Sequence, residues 1–402
     1  MTDGLLFGQF RSSKFTATSR FGELVLVLLG ALFSSTAFAQ DPNDFNYLPT
    51  VPTEMAHEGL LLDIVRVGTR IVAVGERGYI VYSDDEGKTW AQSTVPVSQT
   101  LTAVTFGSDT TGWAVGHEGI ILRTDDGGEN WALQLTGYDA SRQELVLGKR
   151  RLERARAAVE EARNSGTEDL EDLEYAVEDA EIALESIQTA LDDGPSNPFL
   201  DVWFADDKTG VAVGSYGMIF RTLDGGATWE AWNEHISNPD GFHYYSLDSS
   251  ADGTLILAGE QGLLYRSRDN GAEWERLTTP YAGSFFGVLA GGQGGNSYIL
   301  IYGLRGNIFR SVDGGDSWSP VSTGSELALF GGTALDDGAV LLVGNSGIVL
   351  RSTDGGTTFS RHIRAERLPY SAVVENGNGN LVLAGRGGVE VVTADGKDTK
   401  GG

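Results

Sequence analysis

Apolar and polar positions along this chain fall into one recurring order. An apolar run leads into G-x-x-G, a second apolar run follows, and S/T-x-D-x-G-x-x-W closes the unit. The unit reads VAVGERGYIVYSDDEGKTW at 72–90, WAVGHEGIILRTDDGGENW at 113–131 and VAVGSYGMIFRTLDGGATW at 211–229. It returns as LAGEQGLLYRSRDNGAEW (257–274), IYGLRGNIFRSVDGGDSW (301–318) and LVGNSGIVLRSTDGGTTF (342–359), with a worn seventh copy at 383–398. The leading glycines are Gly75, Gly116, Gly214, Gly259, Gly303, Gly344 and Gly385. They recur every 41–45 residues, except for one interval of 98. A period of that length with about four strand signals per unit predicts an all-β, seven-bladed β-propeller. The long interval is one repeat carrying an insertion.

Each unit has a physical reading. A stretch such as Leu101–Phe106 forms an inner strand and Gly112–Val115 the second. The paired glycines supply positive φ or close backbone approach at a tight turn. The Asp of the box accepts N–H bonds within its own turn, and the Trp is a large apolar plate. The Asp carboxylates are therefore read as structural. The seventh copy shows three strands, at Ser371–Glu375, Asn380–Ala384 and Val389–Thr393, and the unassigned stretch Phe45–Val51 is expected to add the fourth and close the ring.

The insertion has a different period. Leu145, Gly148, Leu152, Ala155, Val159 and Ala162, then Leu170, Leu173, Val177, Ala180, Leu184, Ile187 and Leu191, step 3-4-3-4. That is the seam of an antiparallel helical hairpin. Asn164-Ser165-Gly166 is the expected turn, Thr167 the cap of the second helix and Gly194-Pro195 its end. The first helix is basic (Arg142, Lys149, Arg150, Arg151, Arg154, Arg156, Arg163), and the second is acidic with no basic residue. The expected domains are a leader at 1–39, a propeller at 40–138 and 194–402, and the hairpin at 139–193.

The start of the chain changes the compartment. Arg11, Lys14 and Arg20 precede a short apolar run, Leu24–Phe33, and Ala37-Phe38-Ala39 is a small-x-small site. These are the parts of a secretory signal peptide, cleaved near Ala39 to release a periplasmic or secreted protein. Elsewhere nothing reads as a membrane span, so a soluble protein is expected. The 29 basic and 56 acidic residues give a net charge of -27, which disfavours sequence-independent nucleic-acid binding, and no nucleic-acid partner is expected. With no cysteine, disulfides, thiolate metal sites and a cysteine nucleophile are excluded. The five histidines form no ligand pair, and no phosphate or dinucleotide fingerprint is present. No metal and no cofactor are expected.

The box S-x-D-x-G-x-T-W resembles the Asp-box, or BNR repeat, of sialidases and of many non-enzymatic propellers. With G-W-A-V-G-x-x-G-x-I ahead of it, the longer unit resembles the photosystem II assembly and stability factors, over residues 51–395 apart from the insertion. The resemblance implies a non-enzymatic platform that holds subunits of a membrane-protein complex. In a bacterium without photosystems it implies an accessory to an envelope complex such as a resistance-nodulation-division exporter. A sialidase-like glycosidase or a carbohydrate-binding propeller is the alternative, with Arg77, Arg305, Arg386 and Glu260 as its available charges.

Candidate binding residues follow from topology. Connections from an outer strand to the next inner strand share a face with the G-x-x-G turns, so the hairpin rises from that face. The variable positions there are Glu76, Arg77, His117, Glu118, Tyr216, Glu260, Gln261, Arg305 and Arg386. Inner-strand starts add Tyr244, Tyr281, Phe285, Phe286 and Tyr370, and the arm adds Arg150 and Arg154. Aromatic and Arg side chains near a channel mouth suit protein recognition.

Overall fold

A computed structural model describes residues 47–166, 170–292, 296–335 and 337–399. The leader, its cleavage site, Phe45 and the expected cap Thr167 lie outside the described residues. The described chain forms seven antiparallel sheets, six of four strands and one of three. The first strands are Leu61–Val67, Leu101–Phe106, Phe199–Phe204, Tyr244–Ser249, Phe285–Gly291, Leu329–Ala334 and Tyr370–Glu375. Each contacts the first strand of the next sheet, and the seventh contacts the first, so the succession closes on itself. Second strands such as Ile71–Val74, Val211–Val213 and Leu341–Val343 are wholly buried, because sheets pack on both their faces. The core is accordingly divided into clusters between neighbouring sheets, for example Val72, Val74 and Ile80 against Val104, Ala114 and Leu122.

The Asp-boxes are self-contained turns. In the first, the Ser83 hydroxyl donates to Asp85 Oδ1 at 2.9 Å and accepts the Gly87 N–H at 2.9 Å. Asp85 also accepts the Thr89 N–H at 2.8 Å and the Thr89 hydroxyl at 2.7 Å. Trp90 Nε1 donates to Gly87 O at 3.1 Å. The same pattern holds Asp224 and Asp313. These bonds hold the carboxyls of Asp85, Asp313 and Asp354 down at about 2. The box spends its carboxylate on its own turn, so the box Asp is a structural group.

The seventh sheet closes differently from the expectation. Among the described residues, 47–51 add no strand to it. Tyr47 is buried with Val74, Val95 and Val97, and Thr50 N–H donates to Val95 O at 3.1 Å. A large apolar ring gains more in that crevice between the first two sheets than at a polar sheet edge. The edge of Gly388–Val392 is covered instead by the turn Ala56–Glu58, where a Cβ on Gly388 would lie 2.0 Å from His57 O. The chain's own end also folds back on it through a Val392–Asp398 bridge. Arg364, 3% exposed, fixes that return by donating to Tyr370 Oη (2.9 Å), Gly396 O (3.1 Å), Asp398 (2.8 Å) and Glu390.

Two packed helices interrupt the sheets: α1, Gly137–Ser165, and α2, Leu170–Asp193. The first begins at Gly137, just ahead of the expected hairpin bound at 139, because the Thr136 side chain caps it by accepting the Asp139 N–H at 3.1 Å. It also runs through Asn164 and Ser165, so of the expected Asn164-Ser165-Gly166 turn Gly166, left-handed at φ 72°, lies beyond the helix. Leu152, Val159, Ala162 and Ala180 are buried at their contact, and Gly148 lets Leu184 and Ile187 approach. Among the described residues, the ion pairs Arg156–Glu181 and Arg163–Glu174, both at 2.7 Å, join the helices. Among the described residues, no helix is long and apolar enough to cross a membrane.

Candidate docking face and central cavity

The G-x-x-G turn sits at the start of each first strand, since Gly75 pairs with Leu61 and Gly116 with Leu101. The leading glycine is needed for closeness: a Cβ on Gly75 would lie 2.1 Å from Leu60 O. The residue before the second glycine is left-handed although it has a side chain. Arg77, Glu118, Tyr216, Gln261, Arg305 and Ser346 all have φ of 50–61°. That conformation costs about 1–3 kcal/mol outside glycine and turns the side chain outward.

A one-residue bulge opens the first strands, as between Leu61 and Asp63, Tyr244 and Ser246, and Phe285 and Gly287. It splits neighbouring residues between two environments. The first residues (Leu61, Leu101, Phe199, Tyr244, Phe285, Leu329, Tyr370) are at most 3% exposed, buried between sheets. The second residues line a cavity of about 440 Å³ walled by all seven first strands. Tyr245, Phe286 and Phe330 form its aromatic side.

Those three rings belong to a longer arc. Tyr245 and Phe286 lie 5.5 Å apart and Phe286 and Phe330 5.9 Å. Towards the rim, Tyr245 is 6.1 Å from His243, and His243 is 4.7 Å from Tyr216 at 85°. His243 Nδ1 accepts the Tyr216 N–H at 2.9 Å, and Glu260 accepts the His243 N–H at 3.2 Å. Tyr216 is 67% exposed and Phe330 38%.

Deeper in the cavity stand three carboxylates that sequence reasoning missed: Asp63, Asp201 and Asp248. Each joins two sheets. Asp63 accepts the N–H of Ile64 and, in the next sheet, of Val104, both at 2.8 Å. Asp201 does the same with Val202 (2.8 Å) and Leu247 (2.7 Å), and Asp248 with Ser249 and Ala290 (both 2.7 Å). Burial raises them against those bonds, to about 6 for Asp63 and Asp248 and about 7 for Asp201, which also feels the other two. A signal was available: LLDIV and FLDVW each carry a lone Asp at the third position of the otherwise apolar run that opens a first strand.

Of the expected site residues, Phe286 lines the cavity. Arg77, His117, Tyr216, Gln261, Arg305 and Arg386 are exposed on the turns, with Glu76, Glu118 and Glu260 half-buried beside them. Among the described residues Arg77, Arg305 and Arg386 make no ion pair. Glu76 Oε1 accepts the Leu60 N–H at 2.9 Å, which makes it part of its own turn. Phe285, Tyr244 and Tyr370, expected at the channel mouth, are instead core, turned between sheets by the bulge. Tyr281 is half-buried against Phe285 (5.7 Å) and Phe309 (6.0 Å), so it too serves packing.

On the arm, Arg150 is exposed, whereas Arg154 pairs with Glu234 of the sheet-bearing body and so anchors α1. The base of α1 meets the turn face: a Cβ on Gly137 would lie 2.0 Å from Glu118 O. Gln143 donates to Trp229 O at 2.8 Å and accepts the Ala231 N–H at 2.9 Å. The helices thus leave from the face that carries Tyr216.

Comparison with known proteins agrees with this architecture. The model of the family described as Photosynthesis system II assembly factor YCF48 matches residues 18–124, 87–145 and 185–319. Its gap falls within α1 and α2. A photosystem II assembly lipoprotein Ycf48 from Prochlorococcus marinus (strain NATL2A) is 45% identical over 56 residues, 14% of this chain. That match spans 16% of the relative's own length, about a sixth. The solved structure of YCF48 bound to D1 peptide is similar over 87% of this chain and 96% of its own, at 17% identity and TM-score 0.57. The WD40 beta propeller domain of Doa1 is similar over 84% of this chain and 93% of its own, at 10% identity and TM-score 0.56. At these identities the likeness is one of fold.

Proposed function

Because the chain belongs to the Photosynthesis system II assembly factor YCF48 family, we propose that it is a non-enzymatic platform that holds a segment of a membrane-protein complex during assembly. In this reading the seven sheets are the blades of a propeller spanning 40–138 and 194–402, and 139–193 is an antiparallel hairpin arm. Residues 1–39 export the protein to the periplasm or beyond. The partner is an envelope complex, either a photosystem or an exporter of the resistance-nodulation-division type.

The arc Tyr216–His243–Tyr245–Phe286–Phe330 carries the proposal. It is a continuous strip of aromatic surface running from the exposed turns into the cavity. Aromatic side chains give large contact area at low entropic cost, as protein-binding hot spots require. The solved YCF48 relative binds a peptide, which supports the same use of this fold. The glycosidase reading has less support. A sialic-acid carboxylate needs cations, and the cavity lining holds Asp63, Asp201 and Asp248 with no Arg.

The test is capture from solubilised envelope with the intact protein and with Tyr216→Ala and Phe330→Ala. A membrane complex recovered by the intact chain, with recovery reduced at least tenfold in both variants, supports the platform. Glycan binding without any membrane protein would replace it with a lectin.

A further inference from the structure

The aromatic strip says where a partner segment lies, and the cavity says what chemistry that segment carries. The cavity's ionisable lining is of one sign. Sheets one, three and four contribute Asp63, Asp201 and Asp248, while the other first strands contribute Thr102, Ala103, Phe286, Phe330, Gly331, Ser371 and Ala372, none of them charged. Each Asp holds two backbone N–H groups, so its oxygens are fixed rather than mobile. Two N–H bonds do not exhaust a carboxylate, which has about four lone-pair sites.

A second group points the same way. Tyr302, from the second strand of the fifth sheet, is 3% exposed and lines the same cavity. Its hydroxyl makes no hydrogen bond to a protein group among the described residues and is open to the cavity rather than sealed from it. A hydroxyl can accept as well as donate, so it complements a cation that the carboxylates attract.

The geometry points to a basic side chain, the guanidinium of Arg or the ammonium of Lys, entering the cavity from the partner segment bound along the aromatic strip. A compact metal ion fits less well, because among the described residues no three carboxylate or imidazole groups converge as metal ligands do. An alkyl-borne cation suits every layer. Its head meets Asp201, its neighbours and Tyr302, and its stem lies along apolar walls as Lys and Arg stems do. Its passage crosses Tyr245, Phe286 and Phe330, whose faces attract cations. The small residues Ala103, Gly331, Gly332 and Ala372 keep the bore open. The net charge of -27 steers such a segment inward from a distance.

This inference rests on the platform reading but is tested apart from it. Capped heptapeptides with Leu and Phe around a central Arg, or around its neutral isostere citrulline, are titrated into the intact protein by calorimetry at pH 7.5. The Arg peptide is expected to bind at least tenfold tighter. Asp201→Asn should erase most of that advantage and Tyr302→Phe about threefold of it, with citrulline binding unchanged in both. Should Asp201→Asn fail to fold, Tyr302→Phe carries the test alone, since only one oxygen is removed. The advantage should also shrink at pH 5, where Asp63, Asp201 and Asp248 are protonated. Equal affinity of the two peptides overturns the inference, as does an Arg preference untouched by Tyr302→Phe. In either case, capture of the membrane complex through Tyr216 and Phe330 would still stand, which separates the two failures.

Discussion

The Asp201 carboxylate accepts the Leu247 backbone N–H at 2.7 Å, joining the first strand of the third sheet to that of the fourth. Asp63 and Asp248 make the same join from their own sheets to the next. Hydroxyls make it elsewhere: Thr102 donates to Phe199 O at 2.8 Å and Ser371 to Leu61 O at 2.7 Å. The last of these ties the seventh sheet to the first across 310 residues of chain. Hydrogen bonds around the cavity therefore complement the apolar packing farther out.

These joins set a pH dependence. The three carboxyls titrate higher in the folded protein than in the unfolded chain, so the folded state binds the extra protons. Their contribution to stability is complete below about pH 4 and is lost as pH rises through about 6–7. The Asp-box carboxyls act in the opposite sense, but only below about pH 4. Between pH 5 and 8 the melting temperature should fall by a few degrees, and by less in Asp201→Asn. Thermal unfolding followed by circular dichroism checks this, and a flat profile in the unmodified protein would refute it.

Asp224→Ala should lower stability by about 1–2 kcal/mol, since it removes bonds to Thr222 Oγ1, Thr228 N–H and Thr228 Oγ1 in a largely exposed turn. Partner capture should be unchanged at temperatures where the variant is folded. Loss of capture by a fully stable variant would give the box a role in recognition.

How far the sequence revealed this structure depends on what each position needs. The repeats were legible because Gly75 and its counterparts tolerate no side chain and the box residues bond chiefly to one another. The helices were legible from their period, although Thr136 lies outside the seam and so the start of α1 was missed. The cavity was not legible. A strand's period of two cannot say which of Tyr244 and Tyr245, or Phe285 and Phe286, faces the axis, because the bulge shifts the register by one. Ring closure was missed for another reason: Arg364 reaches forward to Asp398 across 34 residues, a pairing that no local pattern announces.

Arg364→Ala should release the chain's end and unpair Glu390 and Asp398, which are exposed enough to rehydrate. The expected loss is about 2–3 kcal/mol, in the range for hydrogen bonds to charged groups. Deleting 47–53 should destabilise too, but at the first and second sheets, where Tyr47 and Thr50 bind. Amide exchange distinguishes them: Arg364→Ala should expose Gly388–Val392, and the deletion should not. Deprotection of the seventh sheet by the deletion would restore the stretch as its closing element.

The arm gives the sharpest separation of structure from recognition. Its base is part of the body: Gln143 bonds Trp229 and Ala231, and Ala140 is buried with Phe199 and Trp229. Replacing 147–190 by a short Gly-Ser linker keeps that base and removes the outer lengths of both helices. The Arg154–Glu234 pair to the body goes with them, worth about 0.2–1 kcal/mol at an exposed site. The shortened protein should therefore melt within a few degrees of the full chain. Capture of the membrane partner should fall at least tenfold if the arm docks. Arg150→Glu is the cleaner charge test, because Arg150 is exposed and makes no ion pair among the described residues, whereas Arg154 would confound recognition with anchoring. Weaker capture by Arg150→Glu should fade as salt rises, since exposed charges are screened over about 8–10 Å at physiological ionic strength. Undiminished capture by a folded, shortened chain would leave recognition to the aromatic strip and the cavity, and α1 and α2 would then be a solvated insertion held by its own seam.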